Sequence, residues 1–404
     1  MLLFFCGCCD AYENQSPMID LEGTRLRVSR TFLNDPDNSK AFSSARVILL
    51  EHILPTTEEF VGLLKGAGVE IFALFAKPYS MDQAVFTRIK NSGVRIICKS
   101  YDDLENTNII PTILSEAATQ SEIDHKRILI LEVGGYFAQP LTKIPAKARG
   151  HIAGVVEDTT FGHNRYNALI EKIPVPVFSV ARSELKQIEA YFVGQDAVMA
   201  MDHILRDVGV SLFGKRAVVI GYGMIGKNVA RTLKAYNMSV SVYDKRDIRN
   251  LRAFNAGFYV NKKAELIRQA DIVFSATGQQ SMSYEDIEGC KDRAILVSVG
   301  SRDTEFDIKQ LKAVSTSNQR FDHYLSYYHL PNGKEIGVIK DGTAVNFILP
   351  SLPVEILDFV FAEIITASVM LLHSETKVQP HVLYSVPEKS LSVVSKMWLK
   401  NVNW

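Results

Sequence analysis

From Ala45 onward, short apolar runs alternate with stretches of helical periodicity. Arg46–Leu50, Val69–Leu74, Val94–Cys98 and Arg127–Val133 read as strands. Largely apolar runs of this kind suit strands covered on both faces, as in a parallel sheet. Between them, Thr57–Ala67, Met81–Asn91 and Thr107–Gln120 read as helices. Ala153–Val156 is a further strand, Ile173–Val180 is extended and contains proline, and Glu184–Val208 reads as a long helix ending near Gly209. The pattern then restarts at Gly214, with strands over Ala217–Gly221, Met238–Tyr243, Asp271–Ser275 and Ala294–Val299. Asn332-Gly333 predicts a hairpin turn between Tyr324–Leu330 and Glu335–Lys340.

Two such series predict an α/β protein built from two doubly wound domains. One domain spans 183–353. The other is discontinuous, 1–182 plus 354–380, because the apolar helix Val354–Leu372 needs a surface to pack on. Residues 381–404 are left as a C-terminal tail, amphipathic at best, and residues 1–40 read as polar and irregular around Asn34-Asp35-Pro36.

Composition narrows the class. The chain has 404 residues, enough for two or three domains, and 45 Lys+Arg balance 45 Asp+Glu. A net charge of zero gives no reason to expect a nucleic-acid partner. Val354–Leu372 is about long enough to span a membrane, but Glu355, Asp358 and Glu363 within it favour a buried helix over a membrane span. Five cysteines without regular spacing make neither a disulfide framework nor a recognisable metal site. The start MLLFFCGCCDAYENQ lacks a basic region ahead of its short apolar run, so it is a poor signal peptide. A cytoplasmic protein with a poorly ordered start is expected, with acylation of Cys6, Cys8 or Cys9 as the alternative.

The chemistry concentrates in KRAVVIGYGMIGKNVARTLKAYNMSVSVYD, residues 215–244. A strand runs into Gly221, Gly223 and Gly226 at the spacing G-x-G-x-x-G. A helix follows with Val229, Leu233 and Tyr236 on one face, and a second strand ends on Asp244. The first glycine permits a tight turn, the second lets the backbone approach a pyrophosphate, and the third lets helix and strand pack closely. Met224 and Ile225 open the helix whose free N–H groups receive the phosphate charge. Asp244, roughly 20 residues further on, is placed to accept the ribose hydroxyls of NAD. Its charge would repel a 2′-phosphate, so NAD is expected to be favoured over NADP.

Further stretches carry a resemblance. EHILPTTEEFVGLL (51–64), ILEVGGYF (130–137), GVVEDTTFGHNRY (154–166), PVFSVARSELK (176–186), FSATG (274–278), LVSVGSRDTEFDI (296–308) and KDGTAVNF (340–347) follow one another as in the S-adenosylhomocysteine hydrolase family. The chain resembles that family over roughly Ala45 to Leu372. The resemblance implies tightly bound NAD, which oxidises the substrate's 3′-hydroxyl. The ketone acidifies the C4′ proton, the thiol leaves, water adds and the ketone is reduced again. It implies cofactor contacts at Thr159, Thr160, Thr277, Gly278, Val299, Gly300 and Asn346, besides the glycines and Asp244. It implies catalytic roles for His52, Lys186 and Asp158, the last in place of a glutamate. It also implies a homodimer or homotetramer, for which the apolar helix Val354–Leu372 offers a surface.

On the substrate side the chain departs from the family. Val133 replaces an active-site aspartate, Ala190-Tyr191 an Asp-Asn pair, Gln195 a cysteine and Ser301 a histidine. Leu54 and Thr56 stand where adenine-contacting polar residues are expected, Pro350-Ser351-Leu352-Pro353 replaces a Gly-His-Pro segment, and the family's Lys/Tyr-bearing tail has no clear counterpart. Each lost hydrogen-bonding partner weakens recognition by about 1–3 kcal/mol. The residues point to an NAD-dependent hydrolase or oxidoreductase acting on a nucleoside-like or other hydroxylated small molecule. A catalytically silent NAD-binding relative is a second reading, and an ordinary adenosylhomocysteinase a third that the substitutions count against.

Overall fold

The computed structural model describes residues 25–300, 304–321, 323–349, 352–373 and 377–401. Cys6, Cys8, Cys9, Ser301, Pro350 and Ser351 lie outside them. The first sheet is built from β1 (Ala45–Ile53), β2 (Glu70–Met81), β3 (Ile96–Cys98), β4 (Arg127–Glu132), β5 (Ile152–Glu157) and β6 (Val177–Ser179). The second takes β7 (Arg216–Ile220), β8 (Ser239–Tyr243), β9 (Tyr259–Val260), β10 (Ile272–Ser275), β11 (Ile295–Ser298), β12 (Ser317–Arg320), β13 (Leu325–His329) and β14 (Glu335–Ile339). A last short strand, β15 (Leu383–Tyr384), returns to the first sheet beside β6.

The strand orders are β15-β6-β5-β4-β1-β2-β3 and β12-β13-β14-β11-β10-β7-β8-β9. Every pairing in the first sheet is parallel. The second is parallel from β9 to β14 and closes with the antiparallel hairpin pairs β13–β14 and β12–β13. In each, the order reverses between the first strand and the fourth, at β1/β4 and at β7/β10. Ligands of doubly wound sheets sit at such a switch, beyond the carboxyl ends of the strands. The fold is therefore α/β with two doubly wound units.

Buried aliphatic residues on the strands account for the two-sided cores. Val47 and Leu49 face one core of the first sheet while Ile48 and Leu50 face the other. The helix Val354–Leu372 packs on the first sheet, with Val360, Ala362, Ala367 and Leu371 buried in its core. Among the described residues no helix is long and apolar enough to cross a membrane.

Three stretches differ from the sequence expectation. Residues 27–43 are not irregular but form two helices, Arg27–Asn34 and Pro36–Ser43. Asp35 accepts the N–H groups of Asp37 and Asn38, and Pro36 opens the second helix, so the apparent turn signal is a helix start. The first helix lacks its own cap. Asp358 supplies one, accepting Val28 N–H at 2.8 Å and Ser29 N–H at 2.9 Å from 330 and 329 residues away.

The helix expected over Thr107–Gln120 runs from Ile109 to Asp124, and a further short helix precedes it. That short helix, Tyr101–Asn106, is opened by a capping box of Ser100 and Asp103.

The stretch read as a tail supplies β15 and a helix, Glu388–Asn401. That helix lies on Val354–Leu372, where Trp398 Nε1 donates to the Glu355 carbonyl at 2.6 Å and its ring meets Phe359. The apolar helix is thus covered by the chain itself. It does not offer the surface for assembly that its composition led us to expect.

Candidate active site

β1 delivers Glu51 and His52 to the carboxyl end of the first sheet. His52 Nδ1 is hydrogen-bonded to Ser80 Oγ, and its carbonyl accepts Thr57 Oγ1 at 2.5 Å. Burial, then the charges of Lys77, Lys186 and Lys340, hold the imidazole well below its ordinary pKa. It is neutral at neutral pH and able to accept a proton. Its ring lies 4.6 Å from that of Phe347, a residue of the second unit. Glu51 accepts the His52 N–H at 2.8 Å, and burial followed by the charge of Asp158 pushes its pKa up to about 7.

β5 ends at Glu157 and hands the chain to Asp158. Lys186 comes from the first turn of the helix Glu184–Asp207, whose N-terminus Ser183 caps by accepting Lys186 N–H at 3.0 Å. Lys186 Nζ bridges Asp158 Oδ2 at 3.0 Å and Glu189 Oε2 at 2.9 Å. Burial lowers its pKa, but the two carboxylates more than offset this, and the net shift is upward. The resting lysine is a cation. Burial first, then the charge of Asp158, raises Glu189, against the pull of Lys186.

Glu363, from Val354–Leu372, closes the cluster. Ser183 Oγ donates to it at 2.8 Å, and burial pushes its pKa up to about 8. Asp158 Oδ1 and Glu363 Oε1 are buried without a hydrogen-bond partner. Lys77, 3% exposed, donates from Nζ to the Val133 carbonyl at 2.7 Å, and Nζ lies 5.3 Å from the centre of the Tyr136 ring.

Asp158 and Lys186 are in contact, and the charge of Lys186 reaches His52. Val133 is buried in the core, and the adjacent Glu132 is engaged by Tyr136 N–H, Phe137 N–H and the Tyr166 hydroxyl. No carboxylate is freed at that position. Sequence reasoning missed Glu51, Lys77, Glu189 and Glu363. Glu189 had a signal, since it lies three residues after Lys186 on one helix. Glu363 had one too, an acid inside an apolar helix. Lys77 had none.

The second unit carries the nucleotide features. Gly221 has φ +93°, and a Cβ there would meet the Ala276 carbonyl oxygen at 2.8 Å. A Cβ on Gly226 would lie 1.8 Å from the Gly221 oxygen, so only glycine lets the helix Met224–Ala235 start this close to the turn. Gly223 is open on its Cβ side to 3.7 Å, and no side chain caps the helix at that end. Met224 and Ile225, partly buried, open it. Asp244 is buried and accepts Tyr222 N–H at 2.7 Å. An open glycine before uncapped N–H groups, with a buried acid beyond the next strand, fits a dinucleotide.

At the ends of β10 and β11, Glu305 gathers the other expected positions. It accepts Thr277 N–H and Oγ1 at 2.9 and 2.6 Å and Gly278 N–H at 2.7 Å, and a Cβ on Gly300 would meet it at 2.4 Å. Val299 is buried in the core, and Asn346 sits partly buried in the turn Val345–Phe347. Ser298 Oγ, next to Val299 in sequence, is buried without a hydrogen-bond partner, and its backbone bridges to Ala344. Thr159 Oγ1 caps its helix by accepting Gly162 N–H at 3.0 Å and donates to Glu157 at 2.5 Å, while Thr160 is exposed in the first turn. Among the described residues no group of His, Cys, Asp or Glu is placed to hold a metal.

Fold and cradle together define an NAD-binding protein of two doubly wound units. Residues 192–350 match the model of the NAD-binding domain of S-adenosyl-L-homocysteine hydrolase. An adenosylhomocysteinase of Saccharolobus solfataricus is 28% identical over 370 residues, covering 90% of this chain and 86% of that protein. One from Thermotoga maritima is 28% identical over 375 residues, covering 90% and 88%. An S-inosyl-L-homocysteine hydrolase of Methanopyrus kandleri is 28% identical over 360 residues, covering 87% and 82%. Residues 192–350 thus carry the NAD-binding domain of S-adenosyl-L-homocysteine hydrolase, the chain is similar to adenosylhomocysteinases over most of its length, and its cofactor is NAD.

Proposed function

We propose that the chain is an NAD-dependent enzyme of the adenosylhomocysteinase type. It transiently oxidises a sugar-like hydroxyl of a nucleoside-like substrate, and adenosylhomocysteine is turned over poorly or not at all. The observation that carries this reading is the buried cluster in which Lys186 bridges Asp158 and Glu189 beside a neutral His52. Bound NAD would supply a hydride acceptor in the second unit, at Thr277, Gly300 and Asn346. Moving a proton from Lys186 Nζ to Glu189 Oε2, 2.9 Å away, turns the ion pair into a neutral pair. The amine left behind can take the proton of a substrate hydroxyl as hydride leaves carbon. Asp158 Oδ1 is left to accept a second hydroxyl, and His52 is a second proton acceptor.

Two further observations support a changed substrate. Val133 presents no carboxylate, and Ala190 is buried while Tyr191 is exposed. A second reading, ordinary adenosylhomocysteine hydrolysis, is favoured by relatives of that name aligned over most of their length. In it, Glu51 or Glu363 would stand in for the carboxylate absent at Val133.

The test follows absorbance of the reduced cofactor and release of thiol in parallel, on the purified protein with nucleosides and with adenosylhomocysteine. Reduction by a nucleoside without thiol release, lost in Lys186→Met by about 10²-fold or more, is the expected result. Thiol release from adenosylhomocysteine at about 1–10 s⁻¹ establishes the second reading. No reduction by any nucleoside or by adenosylhomocysteine rejects both.

A further inference from the structure

The acid that reads the ribose is not alone. Arg249 lies in the first turn of the helix Asp247–Asn255 that follows β8. Its Nη1 is 3.2 Å from Asp244 Oδ2, the oxygen that also accepts Tyr222 N–H. Asp244 Oδ1 accepts the Arg246 N–H at 2.9 Å. Asn250 fixes the Asp244 backbone from both sides, its Oδ1 accepting the N–H and its Nδ2 donating to the carbonyl, each at 2.7 Å. Both carboxylate oxygens are thus engaged by the protein, and the charge of Asp244 is paired inside the site.

The surroundings are cationic. DKRDIRNLR, residues 244–252, brings Lys245, Arg246, Arg249 and Arg252 against Asp244 and Asp247. Lys245 and Arg246 are exposed, and the Arg249 side chain is 35% exposed. Arg249 Nη1 is also the nearest atom to the open side of Gly223, at 3.7 Å from where a Cβ would stand. The guanidinium therefore sits between the glycine that meets the pyrophosphate and the acid that meets the ribose.

We propose that the adenosine end of this site takes a 2′-phosphorylated dinucleotide, NADP, as well as NAD, and that Arg249 sets the choice. An unpaired carboxylate at Asp244 would reject a 2′-phosphate by like-charge repulsion. A carboxylate already neutralised by Arg249 does so far less. A guanidinium offers two parallel N–H donors to phosphate oxygens, and an arginine near the ribose is how related folds accommodate that group. Arg249 needs only side-chain rotation from Asp244 to reach it, with Lys245 and Arg246 adding attraction. For NAD the same rotation frees Asp244 for the ribose hydroxyls.

The experiment is competition by equilibrium dialysis on the full-length protein. Labelled NAD is bound and then displaced by unlabelled NAD or NADP, at low and at raised salt. NADP is expected to displace NAD at a concentration within about tenfold of unlabelled NAD, with the ratio worsening as salt screens the phosphate. R249A should widen the ratio by about tenfold or more, through loss of NADP rather than of NAD. R249K, which keeps the charge but not the fork, should fall between. A wild-type protein that needs more than about a tenfold excess of NADP overturns the proposal while leaving the NAD site intact, as does an R249A variant that weakens both nucleotides equally. Binding of neither nucleotide overturns the proposal and the cradle together.

Discussion

Glu363 shows how one side chain couples the site to the stability of the whole chain. Its carboxyl is fully buried, and burial pushes its pKa from 4.5 up to about 8. The folded chain therefore holds a proton there that the unfolded chain releases above about pH 4.5. Stability from this group is fully present below the unfolded pKa and is lost as pH rises through the folded value. Thermal melting of the wild-type protein should fall between about pH 5 and 9, and E363Q should flatten that slope. Gln keeps an oxygen for Ser183 Oγ and never ionises. An unchanged slope in the variant would show that Glu363 does not hold the proton. This residue also shows what sequence reading loses. An acid in an apolar helix signals a buried polar site, but its partners Ser183 and Asp158 lie 180 and 205 residues away. Lys186 with Asp158 was legible because each stands inside a motif with fixed spacing. Glu51 and Lys77 stand inside strand patterns that look complete without them.

Elements were legible where their signals are local. The glycines after β7, the acid after β8 and the Asn332-Gly333 hairpin each encode their geometry within a few residues, and the structure shows the turn, the buried carboxylate and the antiparallel pair. The helix Arg27–Asn34 was not legible, because its cap comes from elsewhere. Asp358 takes the N–H groups of Val28 and Ser29, and Ser29 Oγ donates to the Asp358 carbonyl at 3.0 Å. Without the carboxylate two buried donors lose their acceptor. At about 1–3 kcal/mol for each group so stranded, D358A should lower stability by roughly 2–6 kcal/mol. The loss should appear as fast amide exchange over 27–43 before global unfolding. Exchange there no faster than in the wild type would mean that the helix holds without its remote cap.

At the scale of the molecule, the helix Glu184–Asp207 joins the two units. Leu185 packs in the core of the first sheet, while Ala197, Val198, Met201 and Ile204 pack in that of the second. Gly194 lets it close on the helix Met224–Ala235, since a Cβ there would lie 2.7 Å from Asn228 Cβ. The same helix leaves Ile188, Tyr191 and Met199 exposed at 48%, 46% and 43%. Positions 188, 191 and 199 fall near one face, because three and eleven residues are each close to whole turns. The result is an apolar stripe about 16 Å long on the element that carries Lys186. Large side chains aligned in this way mark an interface more often than scattered ones do. The helix Val354–Leu372, whose composition first raised the idea of assembly, is covered within the chain, so the stripe on Glu184–Asp207 is the better reason for a dimer or tetramer. Sedimentation equilibrium of the wild-type protein should give a species of at least two chains. I188D combined with M199D should shift it toward the monomer, with melting behaviour and NAD binding retained, because neither side chain contributes to a core or to the cradle. A wild-type protein that stays monomeric across the accessible concentration range would remove the stripe as an interface.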